Sequence, residues 1–241
     1  MERPLERRAS TRTAVVWDAV RRQLESNGSS QTVLDIGGGT GGFAVRVAAL
    51  GHQVTVVDPS PDALAALDRR ARERGVADLV TGRQGDLAGV ADVVAAGEAD
   101  LVLCHEVLGL VDDPADALAT LRALLRPGGA LSLLVSQQHA AVLGRAMAGH
   151  FAQARDLLSA TPESSDHERR FTAEEIRALL AGGGFDLVEM HAVRVFTDLV
   201  PSALLDLEPG AVEGLLELER AVAGRPEYLT LAAQIHTLAT R

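Results

Sequence analysis

The sequence predicts an α/β chain built on a doubly wound sheet of seven strands, and three observations carry that prediction. Apolar, β-branched runs at 33–36, 54–57, 79–84, 100–104 and 130–136 alternate with stretches of helical spacing, the pattern of a mostly parallel sheet. Several runs close on an acid or a glycine, as at Asp35, Asp58 and Gly85-Asp86. Between the first run and the apolar stretch 43–50 lies Gly37-Gly38-Gly39-Thr40-Gly41-Gly42, and strand, glycine turn, helix is the signature of a ligand cradle.

Residues 1–25 begin with Arg3, Arg7, Arg8 and Arg12 and continue with Val15, Val16, Trp17, Val20 and Leu24 at helical spacing. Residues 1–30 are read as a helical cover over the cleft, broken at Asn27-Gly28-Ser29-Ser30. The run 54–57 reads as a buried parallel strand ending on Asp58. Residues 62–75 form the next helix, with Leu64, Leu67 and Ala71 inward and Arg69, Arg70, Arg72 and Arg74 near its end, where cations suit the helix dipole. Strand 79–84 leads to Gly85-Asp86, residues 87–96 read as helical, and strand 100–104 is followed by His105 and Glu106. Asp113-Pro114 opens a helix over 115–125, and Arg126-Pro127-Gly128-Gly129 turns into the strand 130–136.

Beyond residue 137 the alternation fails. Residues 139–158 look helical and 159–170 form a polar loop. Thr172 with Glu175 three positions on is a capping box for a helix that Gly182-Gly183-Gly184 ends. Residues 185–196 read as a long strand, 201–224 as an acidic helix and 234–241 as the last strand. Two closing strands with no ordinary crossover between sheet neighbours make the last one antiparallel. Residues 137–170 and 199–226 are expected to be small helical insertions forming a substrate cap on one domain spanning 1–241.

That length is ample for a buried core. Hydrophobic content of 47% with 3% aromatic residues suggests a core of Ala, Val and Leu. All 23 basic residues are arginine and the net charge is −10, which disfavours unspecific binding to nucleic acid or anionic membranes but leaves room for a local basic patch. The single cysteine, Cys104, excludes an internal disulfide, and no apolar run approaches the ~20 residues of a membrane span. The charged start lacks the apolar region of a signal peptide, so a cytoplasmic protein is expected.

The glycine turn fits two patterns at once. Gly37, Gly39 and Gly42 match a dinucleotide fingerprint, whereas Asp35, Gly37, Gly39 and Gly41 match acid-x-Gly-x-Gly-x-Gly. A carboxylate at the strand end repels pyrophosphate but receives an ammonium group, directly or through water, which favours S-adenosylmethionine over a nicotinamide cofactor. Asp58 stands where a carboxylate accepts from ribose hydroxyls in doubly wound nucleotide-binding folds, or else it opens the Pro59-Ser60-Pro61 turn. Asp86 is placed to accept from an adenine amino group.

Together the strand-ending acids, the glycine turn, Gly85-Asp86, Pro127-Gly128-Gly129 and the antiparallel last strand resemble the class I S-adenosylmethionine-dependent methyltransferases, over about two-thirds of the chain. Further stretches are similar to a narrower family, the bacterial tRNA carboxymethoxyuridine methyltransferases: Arg12-Thr13-Ala14-Val15-Val16-Trp17, Gly51-His52-Gln53-Val54, Cys104-His105-Glu106-Val107-Leu108, Gln138-His139, Arg194-Val195-Phe196-Thr197-Asp198 and Tyr228-Leu229-Thr230-Leu231. The resemblance implies a Rossmann-like fold. It also implies Arg12 on the methionine carboxylate, Gly37 and Gly38 along the methionine, Asp58 on ribose, Gly85 and Asp86 at adenine, and His105 on the cofactor floor; Asp35 and Gly39 are further candidate cofactor-binding residues of the same turn. It implies a tRNA anticodon loop as partner; Arg3, Arg7, Arg8, Arg169 and Arg170 are the arginines of this chain expected to hold such a loop, provided they line one rim. The chain departs from that family in having an acidic stretch, 159–166, where the family carries a basic loop.

Methyl transfer is an in-line displacement, so the protein chiefly aligns the reactants and excludes water. A carboxylate acceptor is already ionised and needs a cation rather than a base; Arg145 and Arg194 are candidates, with His139 as a further positioning residue. Two other readings stand: a small-molecule methyltransferase on the same fold, which the acidic charge favours, and a non-catalytic or nicotinamide-binding module, which Asp35 disfavours.

Overall fold

A computed structural model of the protein describes residues 4–26, 28–159, 169–207 and 209–241. Its seven strands are β1 (Thr32–Ile36), β2 (Gln53–Asp58), β3 (Val80–Gln84), β4 (Ala99–His105), β5 (Leu125–Ser136), β6 (Asp186–Val193) and β7 (Gln234–Thr240). They form one sheet in the order β3-β2-β1-β4-β5-β7-β6. The pairs among β1 to β5 are parallel, and β7 runs antiparallel to both β5 and β6, as the sequence suggested. All carboxyl ends except that of β7 therefore lie on one edge, where doubly wound folds place their ligands.

Strand β4 sits mid-sheet with Leu101, Val102, Leu103 and Cys104 fully buried, because layers cover both faces of a parallel sheet. On one face lie α1 (Pro4–Ser26), the short α2 (Ala44–Ala48) and α3 (Pro61–Glu73), whose Val16, Val20, Leu24, Val45 and Leu67 pack with Val33, Val54, Leu101 and Leu103. On the other lie α4 (Pro114–Leu124) and α7 (Ala173–Gly182), whose Leu118, Leu121, Ile176 and Leu180 pack with Leu34, Val102, Leu131 and Leu133. Burying each such side chain contributes about 1.5–3 kcal/mol. Between these, α5 (Gln138–Met147) and α6 (Phe151–Ser159) follow β5, while α8 (Ser202–Leu207) and α9 (Ala211–Ala223) lie between β6 and β7.

Local chemistry sets the boundaries. Ser60 caps α3 by accepting from Ala63 N–H at 3.2 Å ahead of Pro61, and Asp113 caps α4 ahead of Pro114. The Thr172–Glu175 capping box is present. Four expectations are corrected. Residues 87–96 hold only a 3₁₀ turn at Val90–Asp92, since Asp86 accepts from Gly89 N–H and locks a turn there. The helical stretch 139–158 divides at Gly149 (φ +79°), and the acidic helix 201–224 divides at Gly210 (φ +86°); a left-handed residue cannot continue a right-handed helix. The long strand 185–196 stops at Val193 because Arg194 has φ +58°. The polar stretch 160–168 and Arg3 lie outside the described residues, as do the side chains of Arg7 and Arg8. Among the described residues no helix is long and apolar enough to cross a membrane.

Candidate functional site

The glycine turn joins β1 to α2, and its backbone is held close to the sheet. Gly37 N–H donates to Val57 O at 2.8 Å and Gly41 N–H to Gly38 O at 3.0 Å. Gly37, Gly39 and Gly41 all have positive φ, the region that glycine enters without penalty. A Cβ on Gly37 would overlap Val107, and one on Gly38 would lie 2.5 Å from Asp35 Oδ2 and 2.9 Å from Val56. The turn is thus packed against its own floor, while a Cβ on Gly42 would meet nothing within 4 Å. Helix α2 spans five residues, so the cradle is the turn 37–43 and not the long helix end that the sequence suggested.

Two carboxylates lie at this floor. Asp35 is buried at the end of β1, and desolvation, followed by repulsion from Asp58, raises its pKa to about 7. Asp58, at the end of β2, accepts from Gly39 N–H at 2.8 Å through Oδ2 and from Ser60 N–H at 2.9 Å through Oδ1. A carboxylate has about four acceptor sites, so these two bonds orient Asp58 and leave sites for two more donors. Gly85 N–H donates to Asp58 O at 3.2 Å, which brings Gly85-Asp86 beside Asp58; the Asp86 carboxylate is exposed and holds Gly89 N–H at 2.9 Å.

His105 ends β4 beside the turn, its ring edge-on to Phe43 with centroids 4.8 Å apart. Burial lowers its pKa to about 4, so it is neutral. Phe43 in turn meets Trp17 of α1 at 6.2 Å, and Arg46 stacks over Trp17 at 3.8 Å. The N-terminal helix is tied to the turn in this way.

Arg12 lies exposed on α1 with its Nη2 3.2 Å from Asp198 Oδ1, and Arg194 Nη2 pairs with the other oxygen of the same carboxylate. Both cations sit at the carboxyl edge of the sheet, Arg12 over it and Arg194 just after β6. Arg145 and His139 are exposed on α5; His139 Nδ1 is 3.2 Å from Gln137 Nε2. Arg169 stacks on Phe171 at 5.1 Å and, with Arg122 and Glu175, lines a groove of about 640 Å³ between α4 and α7. None of the expected cofactor residues lines that groove. The structure thus gathers Asp35, Gly37, Gly38, Gly39, Asp58, Gly85, Asp86 and His105 around one turn, with Arg12 and Arg194 sharing Asp198.

Two further features escape sequence reasoning. Glu219 of α9 is 1% exposed and accepts from Val195, Phe196 and Thr197 N–H at 3.0, 2.9 and 2.7 Å and from Thr197 Oγ1 at 2.7 Å. It holds the turn that presents Arg194 and Asp198. Its signal was one acid among Leu215, Val222 and Ala223 on the buried face of a helix. Glu106, with φ +60°, accepts from Ser136 Oγ at 2.7 Å and Gln234 Nε2 at 2.9 Å, so β4, β5 and β7 meet at one carboxylate.

This arrangement fits S-adenosylmethionine. The glycines let the turn's backbone lie directly on the floor formed by Asp35, Val56 and Val107, Asp58 keeps acceptor sites for further donors such as hydroxyls, and a buried acid near its ionisation point lies below. Comparison with known proteins agrees. A methyltransferase-domain family matches residues 6–190. The tRNA 5-carboxymethoxyuridine methyltransferase of Escherichia coli K12 is 32% identical over 236 residues, covering 95% of this chain and 88% of that protein. The ubiquinone biosynthesis O-methyltransferase of Xanthomonas axonopodis pv. citri is 32% identical over 176 residues, covering 72% and 70%. Among solved structures, magnesium protoporphyrin IX methyltransferase from Synechocystis, with bound S-adenosylhomocysteine, superposes with a TM-score of 0.64 at 17% identity, covering 100% and 89%; at that identity the likeness concerns the fold.

Proposed function

The chain belongs to the class I S-adenosylmethionine-dependent methyltransferases, and from that premise we propose that its methyl acceptor is the carboxylate of a modified wobble uridine in a tRNA anticodon loop. The observation that carries this is the extent of similarity to the tRNA 5-carboxymethoxyuridine methyltransferase, which spans 95% of the chain and so includes the segments after β5 and β6. The ubiquinone biosynthesis O-methyltransferase of Xanthomonas axonopodis covers 72%.

The cofactor supplies a methyl group activated by its sulfonium. In this reading Asp58 accepts from the ribose hydroxyls, Asp86 reaches the adenine amino group, and the turn 37–39 runs along the methionine. Arg12 swings from Asp198 onto the methionine carboxylate, for which its planar fork is suited. Arg194, steadied by Asp198, is the cation offered to the acceptor carboxylate, with Arg145 and His139 supporting the same substrate from α5. The carboxylate is its own nucleophile, so the residues bind and align and no proton need be removed. Helices α5, α6, α8 and α9 are read as the cap that excludes water.

The second reading, a small-molecule acceptor, is favoured by the net charge of −10, since phosphate contacts supply much of the affinity for RNA. Incubation with tRNA bearing 5-carboxymethoxyuridine and methyl-labelled cofactor, followed by mass spectrometry of the nucleosides, separates the two. The labelled methyl ester is expected. Its absence, with S-adenosylhomocysteine binding intact, would leave the small-molecule reading.

A further inference from the structure

We infer that Glu189 fixes the tautomer of His105 through His191, His236 and Ser132, and so leaves His105 Nδ1 as a lone-pair acceptor for the α-ammonium group of the bound cofactor. This rests on the S-adenosylmethionine assignment and not on the identity of the acceptor.

The contacts form one unbroken line across the sheet face beneath α1. His105 Nε2 is 2.9 Å from Ser132 Oγ, which is 2.9 Å from His236 Nε2. His236 Nδ1 is 3.1 Å from His191 Nδ1, and His191 Nε2 is 3.2 Å from Glu189 Oε2. Arg22 of α1 binds the same Glu189 oxygen at 3.0 Å. Successive members sit on β4, β5, β7 and β6, which are neighbours in that order. Ser132 and His236 are fully buried.

Each step has a single direction once its outer end is set. An ionised carboxylate only accepts, so Glu189 requires a proton on His191 Nε2. Neutral His191 then has a lone pair on Nδ1 and must accept there, which places the proton of His236 on Nδ1. His236 Nε2 is therefore an acceptor, and Ser132 must donate its hydroxyl proton to it. The Ser132 oxygen accepts in turn from His105 Nε2–H. What is left is the lone pair on His105 Nδ1, to which none of the described residues is hydrogen-bonded. Burial lowers the pKa of all three histidines, so the line is neutral and the sequence of donors is preserved. The reverse order would set a histidine lone pair against the Glu189 carboxylate.

His105 stands beside the glycine turn against Phe43, on the same sheet face as the side chain of Asp35. A carboxylate methyl acceptor has no proton to offer Nδ1. The α-ammonium of the cofactor has three, more than the single Asp35 carboxylate on that face takes up. A histidine held with its lone pair outward completes that site, whereas one free to flip would present an N–H to a cation.

The test is nitrogen NMR of protein labelled at histidine, combined with calorimetry of S-adenosylhomocysteine and of 5′-methylthioadenosine, which lacks the ammonium. In the wild type His105 should carry its proton on Nε2. Ser132→Ala should release that tautomer and weaken S-adenosylhomocysteine about tenfold, as for a lost hydrogen bond to a charged group, with 5′-methylthioadenosine unchanged. Glu189→Lys, a donor-only side chain at the half-exposed outer end, should reverse the line, move the His105 proton to Nδ1 and give the same selective loss. A wild-type His105 protonated on Nδ1, or a His105 tautomer unmoved in Glu189→Lys, overturns the inference. So does a changed tautomer with unchanged S-adenosylhomocysteine affinity, or an equal loss of both ligands, which marks a structural role. A wild type that binds neither ligand overturns the cofactor assignment itself.

Discussion

The Asp58 carboxylate receives the backbone N–H of Gly39 over 2.8 Å, so the acid at the end of β2 is fastened to the turn that follows β1. One bond sets both the direction of the remaining carboxylate lone pairs and the path of the glycine backbone. Asp58→Ala removes the acceptor proposed for ribose and leaves Gly39 N–H without its partner. The variant should bind S-adenosylhomocysteine more weakly by ~1–3 kcal/mol, read by calorimetry, and no form should bind NAD.

Gly38 and Gly42 lie in the same turn but differ in what a side chain meets. A Cβ on Gly38 would stand 2.5 Å from Asp35 Oδ2, while nothing lies within 4 Å of one on Gly42. Gly38→Ala must displace the buried acid and should cost about 1–3 kcal/mol in urea unfolding, with loss of cofactor binding. Gly42→Ala should stay within about 0.5 kcal/mol of the wild type.

Asp35 gives a pH dependence whose sign can be worked out. Its pKa is raised from 3.8 to about 7 in the fold, so between these values the folded chain holds a proton that the unfolded chain has lost. Its contribution to stability is therefore fullest below the unfolded value, declines as pH rises toward 7, and is level above. Asp35→Asn should abolish that decline and be the more stable form at alkaline pH. An ammonium group beside Asp35 favours the charged carboxylate, so S-adenosylhomocysteine binding should release a proton near pH 7 in the wild type and not in Asp35→Asn. Calorimetry in two buffers of different ionisation enthalpy measures this directly.

Glu219 is a buried carboxylate with four donors converging on it, all from residues 195–197. Glu219→Ala leaves those donors buried and unpaired and should destabilise the protein by ~1–3 kcal/mol. Because the same turn carries Arg194 and Asp198, methyl transfer should fall more steeply than stability. An Asp198→Ala control, which removes ion pairs at the surface, should change stability by less than about 1 kcal/mol. Equal loss of activity and stability in Glu219→Ala would assign it to the core alone.

The sequence by itself determined the alternation of the first five strands, the glycine turn and the strand-ending acids Asp35 and Asp58, because these depend on period, β-branching and φ requirements within a few residues. It also marked the caps at Asp113 and Thr172, which are local hydrogen bonds. Only the tertiary structure decided what Glu219 and Glu189 do, since the partners of Glu219 lie more than twenty residues away and the Glu189 line crosses four strands. The breaks at Gly149, Arg194 and Gly210 were likewise hidden, because glycines within apolar helical patterns look tolerable and Arg194 has no sequence mark of a left-handed backbone. The physical reason is common to all of these: local propensity and periodicity act along the chain, whereas the direction of a buried hydrogen bond is set by whichever donor the fold brings to it.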